Sequence, residues 1–116
     1  MLDLKIINGQ CYIDGELKNV DVSVKDGKIQ NIGKINEEAK DTIDAKGLTV
    51  LPGCIDTQTH FREPGSTDTE DLHSGSRAAI VGGITAVFEM PNTNPPTSNK
   101  KEFQRKLDLA KNRMYC

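Results

Sequence analysis

Residues 47–65 read GLTVLPGCIDTQTHFREPG, and residues 78–97 read AAIVGGITAVFEMPNTNPPT. The first stretch is mostly extended, with Pro52-Gly53 breaking it in two. After the Arg-Glu-Pro-Gly turn, Leu72, Ser76, Ala79 and Ile80 recur at the i, i+4, i+7, i+8 spacing of an amphipathic helix. Gly75, Ala78 and Ala79 are small enough to let that helix lie close to a sheet. Gly82-Gly83 ends it, and ITAVFEM follows as a β-branched and aromatic strand. The loop PNTNPPTS leads to a last helix over 99–115. Asn99 is placed to cap it, Glu102 stands at the capping-box position, and Phe103, Leu107, Ala110 and Met114 form its apolar stripe. Strand, helix, strand, helix is the grammar of a parallel α/β fold. Two strands cannot build a parallel sheet covered on both faces. A (β/α)8 barrel takes about 250 residues. Residues 51–116 are therefore expected to be the first two β/α units of such a barrel, the N-terminal piece of something longer.

Working back from Gly47, residues 1–50 punctuate like a small β-sheet, expected to be part of a β-sandwich. Asn8-Gly9, Asp14-Gly15 and Asp26-Gly27 are turn signals. Val20, Val22 and Val24 alternate with Asp21, Ser23 and Lys25 as a half-buried strand, and Ile29 and Ile32 make 20–32 a hairpin. INEEAKDT, residues 35–42, reads as a polar connection before an extended piece at 41–45.

Of the 116 residues, 28% are charged and 35% hydrophobic, which suits one small globular domain and excludes a disordered chain. No apolar run reaches the ~20 residues of a membrane helix, and MLDLKIINGQ lacks the form of a signal peptide. Cys11, Cys54 and Cys116 are odd in number and far apart, which fits a reducing compartment. The expected location is the cytoplasm. Residues 99–116 carry six Lys/Arg against two acids, a local charge of +4, while the rest carries −6. Those bases alternate with an apolar stripe and have no aromatic platform, so a solvated helix face is expected rather than a nucleic-acid surface.

Asp56, Gln58, His60 and Arg62 stand two apart, so a continuous strand would put all four on one face. A row of polar groups is costly to bury unless something binds it. Histidine is a metal ligand, and Arg62 offers a planar fork of donors matched to a carboxylate. The bland alternatives stay open: a hydrogen-bonded core histidine, a surface ion pair for Arg62, a strand-end hydrogen bond for Asp56. His73 reads as a surface residue of the first helix. Glu89 either supports the site or pairs with a cation. Glu63, Pro64 and Gly65 shape the turn that aims Arg62.

The two quoted stretches together resemble the opening of a dihydroorotase, a cyclic amidohydrolase of the metal-dependent amidohydrolase superfamily. Allantoinases are similar but usually carry Asn-Glu-Pro-Gly at the turn, and hydantoinases and dihydropyrimidinases lack the Arg-Glu-Pro-Gly turn. Phe-Arg-Glu-Pro-Gly with Met-Pro-Asn-Thr (Met90 to Thr93) favours dihydroorotase. The resemblance implies reversible hydrolysis of the dihydroorotate ring amide to N-carbamoyl-aspartate, in pyrimidine synthesis. It implies that Arg62 and Asn92 bind the substrate carboxylate and that His60 binds zinc, with Asp56 supporting the metal region. In most of the family the first strand ends His-x-His and the complete site holds one or two zinc ions; here position 58 is Gln58, a poorer ligand that either binds weakly, holds a water or leaves the site with one metal. The other ligands of such enzymes come from later strands, so these 116 residues are not expected to catalyse alone. Loss of the first histidine also leaves open a non-catalytic relative that organises aspartate carbamoyltransferase, and the complete protein is expected to form either a complex with that enzyme or a homo-oligomer. A free-standing small interaction module is disfavoured by the apolar faces it would expose.

Overall fold

A computed structural model describes residues 1–116. It is a mixed α/β chain, mostly strands, that divides into two compact units, Met1–Pro52 and Gly53–Cys116.

The first unit holds β1 (Leu2–Ile7), β2 (Gln10–Ile13), β3 (Glu16–Asn19), β4 (Asp21–Lys25), β5 (Lys28–Gly33), β6 (Ala39–Asp44) and β7 (Thr49–Val50). They form a four-stranded sheet in the order β5-β4-β1-β6 and a three-stranded sheet in the order β3-β2-β7. Asp14-Gly15 and Asp26-Gly27 close two-residue hairpins, both residues of each in the left-handed region. That is the type I′ geometry whose twist matches the flanking strands. Asn8-Gly9 does something else: β1 and β2 belong to different sheets, and the chain changes sheet there. A Cβ at Gly9 would lie 2.8 Å from Val50 Cγ2, so only glycine lets the crossing pack this tightly.

Two details depart from the expected pattern. The pairing of β4 with β5 shifts register between Ser23 and Val24, so Ser23 as well as Val22 is buried, and Ser23 Oγ donates to Asn31 O. An irregularity of this kind interrupts the in–out alternation that the valines suggested. The strand expected at 41–45 begins earlier, at Ala39, because β1 pairs with it in parallel from Leu2↔Ala39 to Ile7↔Asp44. Part of the polar segment 35–42 is thus an edge strand, its charged side chains facing out. The buried side chains of the unit are Leu2, Cys11, Val22, Ser23 and Ala45.

The second unit runs β8 (Cys54–Thr59), α1 (Leu72–Val81), β9 (Ile84–Glu89) and α2 (Lys100–Ala110). β8 and β9 pair in parallel with α1 between them in the chain, the βαβ arrangement expected from the sequence. α1 starts on Asp71, whose carboxylate accepts from Ser74 N while Ser74 Oγ accepts from Asp71 N, a complete capping box. It stops at Gly82, followed by Gly83 with φ +86°. Asn99 caps α2 by accepting from Glu102 N at 3.0 Å, but Glu102 turns to Arg105 instead of completing a box. α2 ends at Ala110, short of the expected 115, and Met114 continues the stripe from the segment beyond. Phe61, Leu72, Val87, Phe103, Leu107 and Met114 border a cavity of about 310 Å³ between β9 and α2. No helix is long and apolar enough to cross a membrane.

Candidate active site

The polar row does not lie on one continuous strand face. β8 ends at Thr59, and its pairing with β9 slips by one residue between Asp56 and Thr59. Asp56 turns its carboxylate onto the main chain and accepts from Gln58 N at 2.9 Å. Gln58 is exposed. His60 and Arg62 leave from the loop beyond the strand.

That loop nonetheless keeps an alternation of its own. Phe61 is 5% exposed and Glu63 6%, while His60 and Arg62 between and beside them are exposed. Phe61 packs against α1 where there is no side chain: a Cβ at Gly75 would lie 2.7 Å from the Phe61 ring. Glu63 Oε2 accepts from Leu72 N at 2.9 Å, the first amide of α1, which has no partner within the helix. Its two oxygens also accept from Arg113 Nη1 and Nη2 at 2.8 and 3.0 Å, a bidentate pair. Burying two residues of opposite character on the inner side presents His60 and Arg62 outward.

The second strand brings Asn92 to the same place. Met90 N donates to Thr59 O, and Asn94 N donates to Pro64 O at 3.0 Å, so the loops after β8 and β9 run side by side. Gly65, with φ +114°, faces Asn94; a Cβ there would lie 2.6 Å from Asn94 O. His60 Nδ1 and Asn92 Oδ1 are 2.9 Å apart. A carbonyl oxygen only accepts, so Nδ1–H is the donor in this contact, and in the neutral imidazole Nε2 is then the nitrogen that carries the lone pair. Asn92 keeps two amide N–H donors for another group. Arg62 takes part in none of the chain's ion pairs.

Of the residues singled out from the sequence, the structure brings together His60 and Asn92, with Arg62 two residues on. Glu89 is not with them: it pairs with Lys106 of α2, and its Oε1 is buried without a partner. His73 is exposed as expected, its Nδ1 3.3 Å from Arg113 O and its ring against Tyr115. The anchoring role of Glu63 and its pairing with Arg113 were not read from the sequence, and their separation of 50 positions leaves no local signal. The basic tail hid two internal anchors, Lys106 and Arg113.

A catalytic zinc takes three protein ligands and keeps one position open. His60 fits one of these places, since a ligating imidazole usually donates its other N–H to an oxygen acceptor, as Nδ1 does here. Gln58 offers a neutral amide oxygen. Nowhere in the chain do three His, Cys, Asp or Glu side chains converge as a metal site. The donors present fit part of a centre and not a complete one.

The clasp on this loop is sensitive to acid. The Arg113 guanidinium, with the Leu72 amide, holds the Glu63 carboxyl below its ordinary value, against the opposing effect of burial. The Ser74 amide and hydroxyl, and Arg113 at longer range, do the same for Asp71. A carboxylate depressed in the folded state adds stability that is present in full above its unfolded pKa, 4.5 for Glu63, and is lost as pH falls through the folded value. Urea unfolding of the chain is expected to be level from neutrality down to that range and then to shift to lower midpoints. Glu63→Gln should flatten part of the drop; an acid limb of the same depth in Glu63→Gln would mean the clasp contributes nothing.

Comparison with known proteins places these features in a family. The profile of the amidohydrolase family matches residues 49–114. The chain is 45% identical to an allantoinase of Escherichia coli O1:K1 over 113 residues and 46% identical to a dihydroorotase of Methanothermobacter thermautotrophicus over 110. These alignments take in 97% and 95% of the chain but 25% of each relative, so the chain spans about a quarter of their length. Its structure superposes on an L-hydantoinase from Arthrobacter aurescens with a TM-score of 0.84 at 35% identity, over 95% of the chain and 25% of the other. An N-acyl-D-glutamate deacylase from Bordetella bronchiseptica, complexed with zinc and a phosphonate inhibitor, matches 74% of the chain and 18% of its own with a TM-score of 0.60 at 31% identity. Allantoinase and dihydroorotase are thus about equally similar, and the Arg-Glu-Pro-Gly turn does not by itself choose between ring substrates. The allantoinase, the dihydroorotase and the hydantoinase are cyclic amidohydrolases, and the chain belongs to the amidohydrolase family.

Proposed function

We propose that β8–α1–β9–α2 is the first pair of units of a (β/α)8 barrel, and that it supplies one side of a site that opens and closes a cyclic amide, dihydroorotate being the favoured substrate. The observation that carries this reading is the His60–Asn92 contact beside the unpaired Arg62, at the C-terminal ends of two parallel strands. A substrate carboxylate takes the bidentate fork of Arg62, and Asn92, its oxygen held by His60, donates its amide to the same group. His60 offers Nε2 to a zinc ion, with Gln58 as a weak neighbour and Asp56 bracing the main chain at the Gln58 amide. When bound, such an ion polarises a ring carbonyl and acidifies its water.

The charge on the substrate makes the reading testable. In the polypeptide isolated from its cell, Arg62→Met is expected to raise KM for dihydroorotate roughly tenfold or more, the worth of a charge-assisted hydrogen bond. Hydantoin, which has no carboxylate, should be affected little. Equal losses on both would remove Arg62 from carboxylate binding, and turnover of allantoin or hydantoin without dihydroorotate would replace the substrate.

Gln58 favours a second reading. A first strand short of one imidazole suits a relative that has left catalysis and binds aspartate carbamoyltransferase. No turnover of any of the three rings, together with a stable complex with that enzyme, would select it.

A further inference from the structure

We infer that Arg113 is a positioning residue for the His60–Arg62 pair, acting from the far end of the second unit through Glu63. The inference takes the purpose of those two residues from the proposed site, but its geometry stands apart from any substrate. Arg113 lies in the turn after α2 and comes back 50 residues in sequence to Glu63. Its Nη1 also donates to Leu109 O at 3.0 Å, and its Nη2 lies 3.4 Å from Asp71 Oδ2. One guanidinium therefore ties together the end of α2, the cap of α1 and the loop between β8 and α1. Planar, with five donors, it can do this where lysine could not.

The segment after it is fastened to α1 as well. Tyr115 N donates to Ser76 Oγ at 3.1 Å, and the buried Ser76 Oγ donates to Leu72 O. The clasp is thus backed by packed structure and fixes Glu63 three residues past His60. With Phe61 held against Gly75, both inner residues of the loop are pinned, and the exposed His60 and Arg62 are kept on its outer side. Loss of Arg113 leaves Glu63 a buried carboxylate with only one amide, which favours its rotation toward water and takes the loop with it.

The test reads His60 directly. The chain has two histidines, so imidazole ¹⁵N spectra are simple to assign with His73→Gln. In the full chain, free of added metal at neutral pH, His60 is expected in the Nδ1–H form that the Asn92 contact requires. Arg113→Met should abolish that preference while the amide spectrum of β8, β9 and α1 stays dispersed. Arg113→Lys should restore it in part, because charge returns without the two-pronged fit. A folded Arg113→Met with the His60 signature unchanged would overturn the inference. Should Arg113→Met fail to fold, Arg113→Lys decides in its place: a reduced signature supports the inference and an unchanged one overturns it. Failure of the proposed activity would leave these spectra as they are, so the two readings fail separately.

Discussion

Phe61→Ala is expected to cost about 3 kcal/mol and to leave the Gly53–Cys116 unit close to unfolding in water. The ring is almost wholly buried, seated on Gly75, and shares the lining of one cavity with Leu72 of α1 and with Leu107 and Met114 near the end of the chain. Truncation removes the ring from Gly75 and enlarges that cavity. The figure stays at the low end for phenylalanine because the ring already borders a cavity. A unit of this size holds roughly 3–10 kcal/mol in total by the usual per-residue range. Phe61→Leu keeps most of the volume and should cost about 1 kcal/mol. Urea denaturation followed by circular dichroism checks both. A loss below about 1 kcal/mol for alanine would mean that the loop is not held through this residue.

Gln58→His is expected to raise zinc affinity on the order of tenfold or more, since imidazole is a far better ligand than a neutral amide. Competition against a chelator of known strength measures it. The gain should vanish when His60 is also replaced by alanine, because the two side chains would then no longer share an ion. No gain from Gln58→His would place residue 58 away from His60 Nε2. The register slip between Asp56 and Thr59 is where such a departure would arise.

Much of the architecture was legible because it is encoded locally. Asp-Gly pairs adopt positive φ at both residues and close tight hairpins, and Gly82-Gly83 stops a helix whose small face was visible in Gly75 and Ala79. What escaped was non-local. Asn8-Gly9 carries a turn signal, yet which sheet receives the next strand depends on Val50 and Ala45. Ala39 becomes strand because β1 offers a parallel edge, not because Ala-Lys-Asp-Thr favours extension. The site divided in the same way. His60, Arg62 and Asn92 stood out by residue type and by resemblance, and the structure brings His60 and Asn92 together. The even spacing of Asp56 to Arg62 suggested a flat strand face, whereas pairing ends at Thr59 and the loop takes over. Glu63 and Arg113 were invisible as a pair, since nothing in a sequence links a carboxylate to a guanidinium 50 positions later.

The close approach of Gly65 to Asn94 has a consequence for how specificity in such a chain can change. A hydrogen bond from Asn94 N to Pro64 O and the lack of any room for a Cβ at residue 65 make the two loops one inherited block. Residues 60–71 cannot drift toward a new ring shape while 90–98 stand still. A backbone change in either loop must therefore be met by the other, and a chimera that takes one loop without its partner puts a mismatched residue against Gly65 or Asn94.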